Sequence, residues 1–377
     1  MRVMMARMKA FSALGGLGCV FVVWMLAAPA LGAEKGKAPA PAATLALMAQ
    51  NNMAPSSPIL MRIFKKESVL EVWKQTREGR FALLKSFPIC RWSGQLGPKR
   101  RQGDRQSPEG FYAISARQMN PNSAYHLSFD TGYPNAYDRA QGASGSALMV
   151  HGICSSAGCY AMTNRQISEI FALAREALAA GQGAFQLQAF PFRMSAENMA
   201  KHRADPNIDF WRQLKEGYDQ FEATAQEPQV SVVGARYAFA GRTPALEQLA
   251  RDHHAQEVAR IATLAREGAP VIRTTYADGG QHAIFMAMSR ADPELGEISR
   301  PEALAYAGRE VILTPTRVVP RPVATKALVP ALPTIAQEAP APLLPPLNAL
   351  SVMSGAAPIL DSALARRPWV TLAQFGP

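Results

Sequence analysis

Before residue 160 the apolar positions of this chain fall into short, separated runs; just after it they fall into helical spacing. Ile59-Leu-Met-Arg-Ile63-Phe64, Val69-Leu-Glu-Val72-Trp73 and 81–87 are divided by Lys65-Lys-Glu-Ser68 and Arg77-Glu-Gly79-Arg80. Three apolar runs split by charged or Gly-containing turns predict an antiparallel meander. More strand text lies at 111–114, 125–129, 147–150 and 185–190, between loops such as Thr131-Gly-Tyr-Pro-Asn-Ala-Tyr-Asp138. The clearest helix begins at Thr163-Asn-Arg-Gln166, a capping box in which hydroxyl and amide satisfy orphan backbone donors. Ile167, Ile170, Phe171, Ala174, Ala177 and Leu178 then repeat at helical spacing, and Gly181 closes the segment. Charged helical text at 196–203 and 210–221 leads to strand-like 230–233 and 236–239. Residues 242–310 offer one more helix, 246–266, some possible strand, and no recognisable chemistry. The whole predicts an α+β protein, rich in strand.

The two ends differ from this middle. Arg2, Arg7 and Lys9 precede an apolar run at 13–26 and a small-residue stretch that ends in Gly32-Ala33. This predicts a secretory signal peptide over 1–33, with cleavage best placed after Gly32. The run is short for a bilayer span of about 20 residues, so an uncleaved anchor is the lesser alternative. A lipoprotein site at Cys19 is disfavoured, because apolar sequence continues beyond it. Residues 34–57, with Lys-Gly-Lys-Ala-Pro-Ala-Pro, read as a flexible linker. Residues 315–377, rich in Pro, Ala and Leu, read as a disordered tail.

Charge and cysteine content gain meaning from export. The chain carries +11, and loss of Arg2, Arg7 and Lys9 leaves 37 basic residues against 29 acidic, or +8. Outside the cytoplasm such a balance suits anionic envelope polymers or membrane surfaces. No aromatic-interleaved basic motif argues for nucleic acid, and no membrane span is expected once the signal is cleaved. Three cysteines remain after cleavage, Cys90, Cys154 and Cys159. An odd number in an oxidising compartment implies at least one free thiol. The simplest arrangement pairs Cys90 with Cys154; three free thiols is the alternative.

The segment His151-Gly-Ile-Cys154-Ser-Ser156-Ala-Gly158-Cys159 sets an imidazole eight positions from a thiol, at the end of one strand and just before the capped helix. A thiol attacks as its thiolate and needs a base and access to solvent. Cys159 as nucleophile and His151 as base fit that need, with the Gly158 and Cys159 amides as oxyanion donors. A zinc site from His151, Cys154 and Cys159 is a second reading, though it lacks a fourth ligand and a Cys-x-x-Cys pair. Ordinary structural residues are a third. His253-His254 reads as a solvated helix face rather than a ligand pair.

His-Gly followed by Ser-x-Gly-Cys resembles the signature of the YkuD-type L,D-transpeptidases, bacterial wall enzymes, and Ser107-Pro108-Glu109-Gly110-Phe111-Tyr112 resembles a second element of that family. The YafK-like branch is the nearer match. Ile89 to Gly94, Gly103 to Pro108, Gly132-Tyr133-Pro134-Asn135 and Phe190-Pro191-Phe192-Arg193-Met194 carry that resemblance, which spans about 58–240. It implies a YkuD-like catalytic domain over 58–195 with an extension at 196–240, and says nothing of 242–377, where 241–314 is a C-terminal region of unknown role. It further implies Cys159 as nucleophile, His151 as proton donor and acceptor, and Gly152, Ser156 and Gly158 as loop positions that shape the pocket. No cofactor or metal is implied. The substrate would be a peptidoglycan stem peptide in the periplasm, attacked at the L-centre of meso-diaminopimelate, with consequences for wall organisation and cell shape. An amine acceptor would give crosslinking or protein attachment; water would give a hydrolase that releases wall-linked lipoprotein. A non-enzymatic envelope binder on the same fold is a further alternative, disfavoured because both His151 and Cys159 are present. Two features depart from the family pattern. The loop between histidine and cysteine is shorter, and the family's arginine two positions after the cysteine is Ala161 here. Arg91, Arg105 and Arg193 are candidates to bind a substrate carboxylate in its place, and His126 is a candidate pocket-wall residue.

Overall fold

The computed structural model describes residues 35–288, 295 and 298–314. The expected signal peptide and Pro/Ala-rich tail lie outside them. Residues 35–57, expected as a flexible linker, are packed instead. A 3-10 turn at Lys35–Lys37 leads to helix α1 (Ala42–Gln50), with Ala40, Met48 and Met53 buried. The stretch after Pro41 holds only good or neutral helix formers and no glycine or proline. Thr44 then ties α1 down by donating to Glu169.

The meander follows as β1 (Ile59–Phe64), β2 (Val69–Gln75) and β3 (Phe81–Pro88). Next come β4 (Arg91–Trp92), β5 (Gly110–Ser115), β6 (Met119–Asn120) and β7 (Ser128–Asp130). Helix α2 (Ala136–Ala140) separates these from β8 (Met149–His151) and β9 (Tyr160–Ala161). Helix α3 (Asn164–Ala179), β10 (Ala184–Phe190), α4 (Ala196–Lys201) and α5 (Ile208–Thr224) complete the middle of the chain. The hairpin β11 (Gln229–Val233) and β12 (Arg236–Ala240), helix α6 (Pro244–Arg266), β13 (Val271–Thr275), α7 (Ala283–Ala287) and β14 (Arg309–Thr314) end it. The architecture is α+β, as expected. The strand text at 125–129 and 147–150 is shifted toward the C-terminus, because positive φ at His126 and Ala147 breaks the extended backbone there.

Two five-stranded sheets form, ordered β3-β2-β1-β10-β5 and β4-β9-β8-β7-β6. Each contains one parallel pair, β1 with β10 and β8 with β9. Helix α3 packs against strands of both sheets. Its capping box forms: the Gln166 N–H donates to Thr163 Oγ1 (3.3 Å), and the Thr163 N–H donates to Gln166 Oε1 (3.0 Å). Ile167, Ile170, Phe171, Ala174 and Ala177 are buried, and Leu178 is half-buried. Burying each large apolar side chain contributes about 1.5–3 kcal/mol, which holds the helix at one end of the loop that precedes it.

That loop, residues 152–159, joins two adjacent parallel strands. Parallel crossovers ordinarily take about a dozen residues or more. The shorter path is achieved with positive φ at Ile153 (64°) and Gly158 (135°). A Cys90–Cys154 disulfide pins the loop to the residue just before β4.

The region after α6 does not stand apart. Trp92 and Gly280 exchange backbone hydrogen bonds (3.0 and 3.1 Å), so residues around 280 line the β4 edge of the second sheet. The Gly279 N–H donates to the Gly94 carbonyl at 2.6 Å. A side chain at Gly279 would collide with the Trp92 carbonyl and Ser93 Cα, and its φ is +68°. Only glycine lets this chain approach so closely. Phe285, Leu295, Met288 and Ile298 then pack around the Cys90–Cys154 disulfide.

Candidate active site

Register places the thiol and the imidazole. Val150 pairs with Tyr160 and His151 with Ala161. Residues two apart on a strand share a face, so Cys159, one residue before β9, falls on the face that carries His151. The Met149 N–H donates to Cys159 Sγ at 3.4 Å, and the thiol lies 3.8 Å from the Ala147 carbonyl. Cys159 is half-buried and is the only free cysteine among the described residues. His151 is 2% exposed.

One contact sets the tautomer of His151. Its Nδ1 lies 2.5 Å from the Gly152 carbonyl oxygen. A carbonyl only accepts, so Nδ1 carries the proton and Nε2 keeps the lone pair. Tyr125 packs on the ring, centroids 4.6 Å apart. Burial holds the imidazole below its ordinary range, partly offset by the Gly152 bond. Burial also pushes the Cys159 thiol up, aided by the Asp130 charge and opposed by the Met149 amide and Lys99. Both shifts favour the neutral forms, a thiol at Cys159 and an imidazole at His151, carried on one sheet face. Alkylation of Cys159 by iodoacetamide should keep accelerating as pH rises beyond about 8.5, the ordinary thiol value. A plateau between about pH 5 and 8 would instead reveal a preformed thiolate–imidazolium pair.

Around the thiol, hydroxyls fix the backbone. Ser156 Oγ donates to the Cys159 carbonyl at 2.7 Å, and Ser107 Oγ donates to the same oxygen at 3.1 Å. Ser93 Oγ lies 3.0 Å from Ser156 Oγ, and the Ser93 N–H donates to Ser107 Oγ (3.2 Å). The Cys159 N–H meets no acceptor among the described residues. It is thus available to an oxyanion formed beside Sγ. Gly158 was expected to supply a second such amide, but its N–H donates to Ser156 Oγ at 3.3 Å. Its contribution is conformational, through φ +135° and a position where a Cβ would stand 3.0 Å from Leu148. Gly152 permits a close approach, since a Cβ there would lie 2.6 Å from Asn164 Oδ1 and 2.9 Å from the Tyr125 carbonyl.

The candidate basic residues separate clearly. Arg91 is fully buried; it donates to the carbonyls of Ser299 (3.0 Å) and Trp92 and lies 3.5 Å from Asp278. Its expected role as a carboxylate binder does not survive, because no face of it is open. Arg193 pairs with Glu71 at 2.5 Å and stacks over Phe64 on the first sheet, so its charge is already matched there. Arg105 alone is half-exposed beside the loop, bonded to Asp278 (2.7 Å) and to the Ser156 carbonyl (3.1 Å). His126 Nε2 lies 2.8 Å from Ser168 Oγ, and its Cβ sits close to Gly152. The zinc reading loses a ligand, because Cys154 is bonded to Cys90. His254 is no solvated residue either, since Nδ1 lies 2.8 Å from Asp219 and packs α6 on α5.

Sequence reasoning missed Asp278 and Ser299, both in the stretch judged free of chemistry. Asp278 receives Arg105, the Gly94 N–H (3.1 Å) and Arg300 (3.2 Å). Ser299 Oγ accepts from the Ser156 N–H at 2.9 Å. The one legible signal was the Gly279-Gly280 pair, which marks a close backbone approach.

The chain is similar to known proteins over part of its length. The profile of the YkuD L,D-transpeptidase catalytic domain matches residues 62–180. The chain is 50% identical over 181 residues to the protein described as "Putative L,D-transpeptidase YafK" in Escherichia coli K12, covering 48% of this chain and 73% of that one. The counterpart in Escherichia coli O157:H7 matches to the same extent. Among solved structures, the helical cell shape determining protein Pgp2 from Campylobacter jejuni is 16% identical with a TM-score of 0.29, over 62% of this chain and 80% of that one. Among the described residues no helix is long and apolar enough to cross a membrane. With half its aligned residues shared over most of YafK, and the YkuD profile spanning both the thiol and the imidazole, the chain belongs to the YkuD L,D-transpeptidase family, on its YafK-like branch.

Proposed function

We propose that this protein is a periplasmic peptidoglycan L,D-transpeptidase that acts through a Cys159 thioester at the L-centre of meso-diaminopimelate in wall stem peptides. The observation that carries this reading is the pairing of a free, half-buried thiol with an imidazole on the same sheet face, whose Nδ1–H is fixed on Gly152 so that Nε2 is the base. Nε2 of His151 takes the thiol proton as sulfur attacks the amide carbonyl. The oxyanion forms beside the Cys159 N–H. When it collapses, the C–N bond breaks, and the departing amine receives the proton from His151, leaving the thioester. An amine acceptor then attacks the thioester carbonyl and gives its proton to His151; the C–S bond breaks, and the sulfur takes that proton back. No step needs a metal.

The acceptor distinguishes this reading from hydrolysis. Mature protein incubated with disaccharide-tetrapeptides and, separately, with lipoprotein-linked sacculi gives products that mass spectrometry can assign. Crosslinked dimers are expected. Freed lipoprotein with a restored stem, and no dimers, would instead identify water as the acceptor and the protein as a hydrolase.

A further inference from the structure

Asp278 lies well beyond the segment matched by the YkuD profile, in a strap that crosses the β4 edge and contacts the 152–158 loop. Its carboxylate is 3% exposed and faces Arg91, Arg105 and Arg300. Arg105 approaches side-on, donating from Nη2 to Oδ2 (2.7 Å) and from Nε to Oδ2 (3.2 Å) and Oδ1 (3.4 Å), which fixes its guanidinium plane. The second Nη2 proton then reaches the Ser156 carbonyl (3.1 Å). Arg105 holds this pose from φ +56°, a left-handed conformation that non-glycine residues keep only where their surroundings enforce it. Ser299 takes the Ser156 N–H at 2.9 Å and lies 3.3 Å from its carbonyl. Both backbone groups of Ser156 are therefore gripped, while its hydroxyl holds the Cys159 carbonyl.

We propose that Asp278 is a positioning residue for the Cys159 reaction. It locks Arg105 onto the Ser156 carbonyl and so fixes the loop that aims the Cys159 thiol and amide. The inference rests on the reading of Cys159 as nucleophile. Its physical basis is the chain Asp278, Arg105, Ser156, Cys159, each link a hydrogen bond, with a buried charge at the far end that makes the first link strong. A reacting group displaced by about 1 Å loses on the order of 100-fold in rate, so a slack loop should be visible in kcat.

Asp278→Asn keeps the shape and the acceptor for the Gly94 N–H but removes the charge. The expected result is a fall in kcat of roughly 10–100-fold, with KM changed far less. Hydrogen exchange at the Ser156 and Gly158 amides should speed up, and exchange in α3 should not. Because Asp278→Asn leaves Arg91 buried without its countercharge and can impair folding, Arg105→Gln provides a second variant that leaves Arg91 and Asp278 in place. It should show the same exchange pattern, and the double variant should be no slower than Arg105→Gln alone. A folded Asp278→Asn protein with wild-type kcat, unchanged loop exchange in either variant, or additive losses in the double variant would overturn the proposal. The exchange arm needs no turnover. It judges Asp278 even where wall substrates yield no product, a result that counts against the reaction and not against the strap.

Discussion

Cys159→Ala is expected to remove turnover of wall stem peptides, a loss in kcat of at least ~10⁴-fold, as when other covalent nucleophiles are deleted. The fold should not notice, because Cys159 is in no disulfide and is half-buried at the end of the loop. Its backbone, not its sulfur, makes the bonds to Ser156 and Ser107. His151→Ala should cost about 10²–10⁴-fold, the usual contribution of a positioned proton shuttle. The two changes act on one step, so the double variant should be no slower than Cys159→Ala. Initial rates on disaccharide-tetrapeptide, with Tm measured in parallel, check all three. Turnover by Cys159→Ala within tenfold of wild type would falsify the thioester route.

The largest stability effect is expected at Lys65. This residue follows β1, is 0% exposed, and lies 2.9 Å from the equally buried Glu109. Its ammonium also donates to the carbonyls of Gln95 (2.6 Å), Ser107 (3.0 Å) and Gly97 (3.3 Å). Glu109 accepts from the Gly97 N–H (2.7 Å) and the Trp211 indole (2.9 Å), so neither charge is left short of partners. Burial draws the Lys65 ammonium below its ordinary range, and Glu109 only partly restores it. Lys65→Met would strand a buried carboxylate and should destabilise the protein by about 3–5 kcal/mol. For a domain of this size that is a fall in Tm of roughly 6–20 °C. Lys65→Met with Glu109→Gln should recover part of the loss, because no buried charge is then unpaired. Activity should fall further than stability explains, since Lys65 grips the Ser107 carbonyl while Ser107 Oγ grips that of Cys159. Thermal unfolding of the two single variants and the double decides this; a single-variant Tm within about 2 °C of wild type would contradict it.

What the sequence made legible follows the range of each interaction. The capping box at Thr163 and Gln166 and the apolar repeat after it are local, and both form where expected. The meander is local too. The free thiol came from counting, and the disulfide that leaves it free forms between Cys90 and Cys154. Helix α1 was hidden by composition: the Ala and Pro content of 34–57 suggests a tether, yet what decides is burial of Met48 and Met53 against the sheets and helices behind them. The arginines could not be sorted, because one basic side chain reads like another until its partners are known. Arg91 is sealed against Asp278, Arg193 is exposed but pairs with Glu71 on the first sheet, and Arg105 is the half-exposed one that bonds the 152–159 loop. Asp278 and Ser299 carry no periodicity or spacing of their own, since each acts across a sequence separation of more than a hundred residues.

Intact-mass analysis of the protein, quenched during turnover of a disaccharide-tetrapeptide, tests the central claim most directly. An adduct of the acyl donor minus its departing amine should appear, map to Cys159 after digestion, and vanish on treatment with hydroxylamine, which cleaves thioesters. Steady product formation with no adduct on Cys159 under any quench, or an adduct on another residue, would contradict the account.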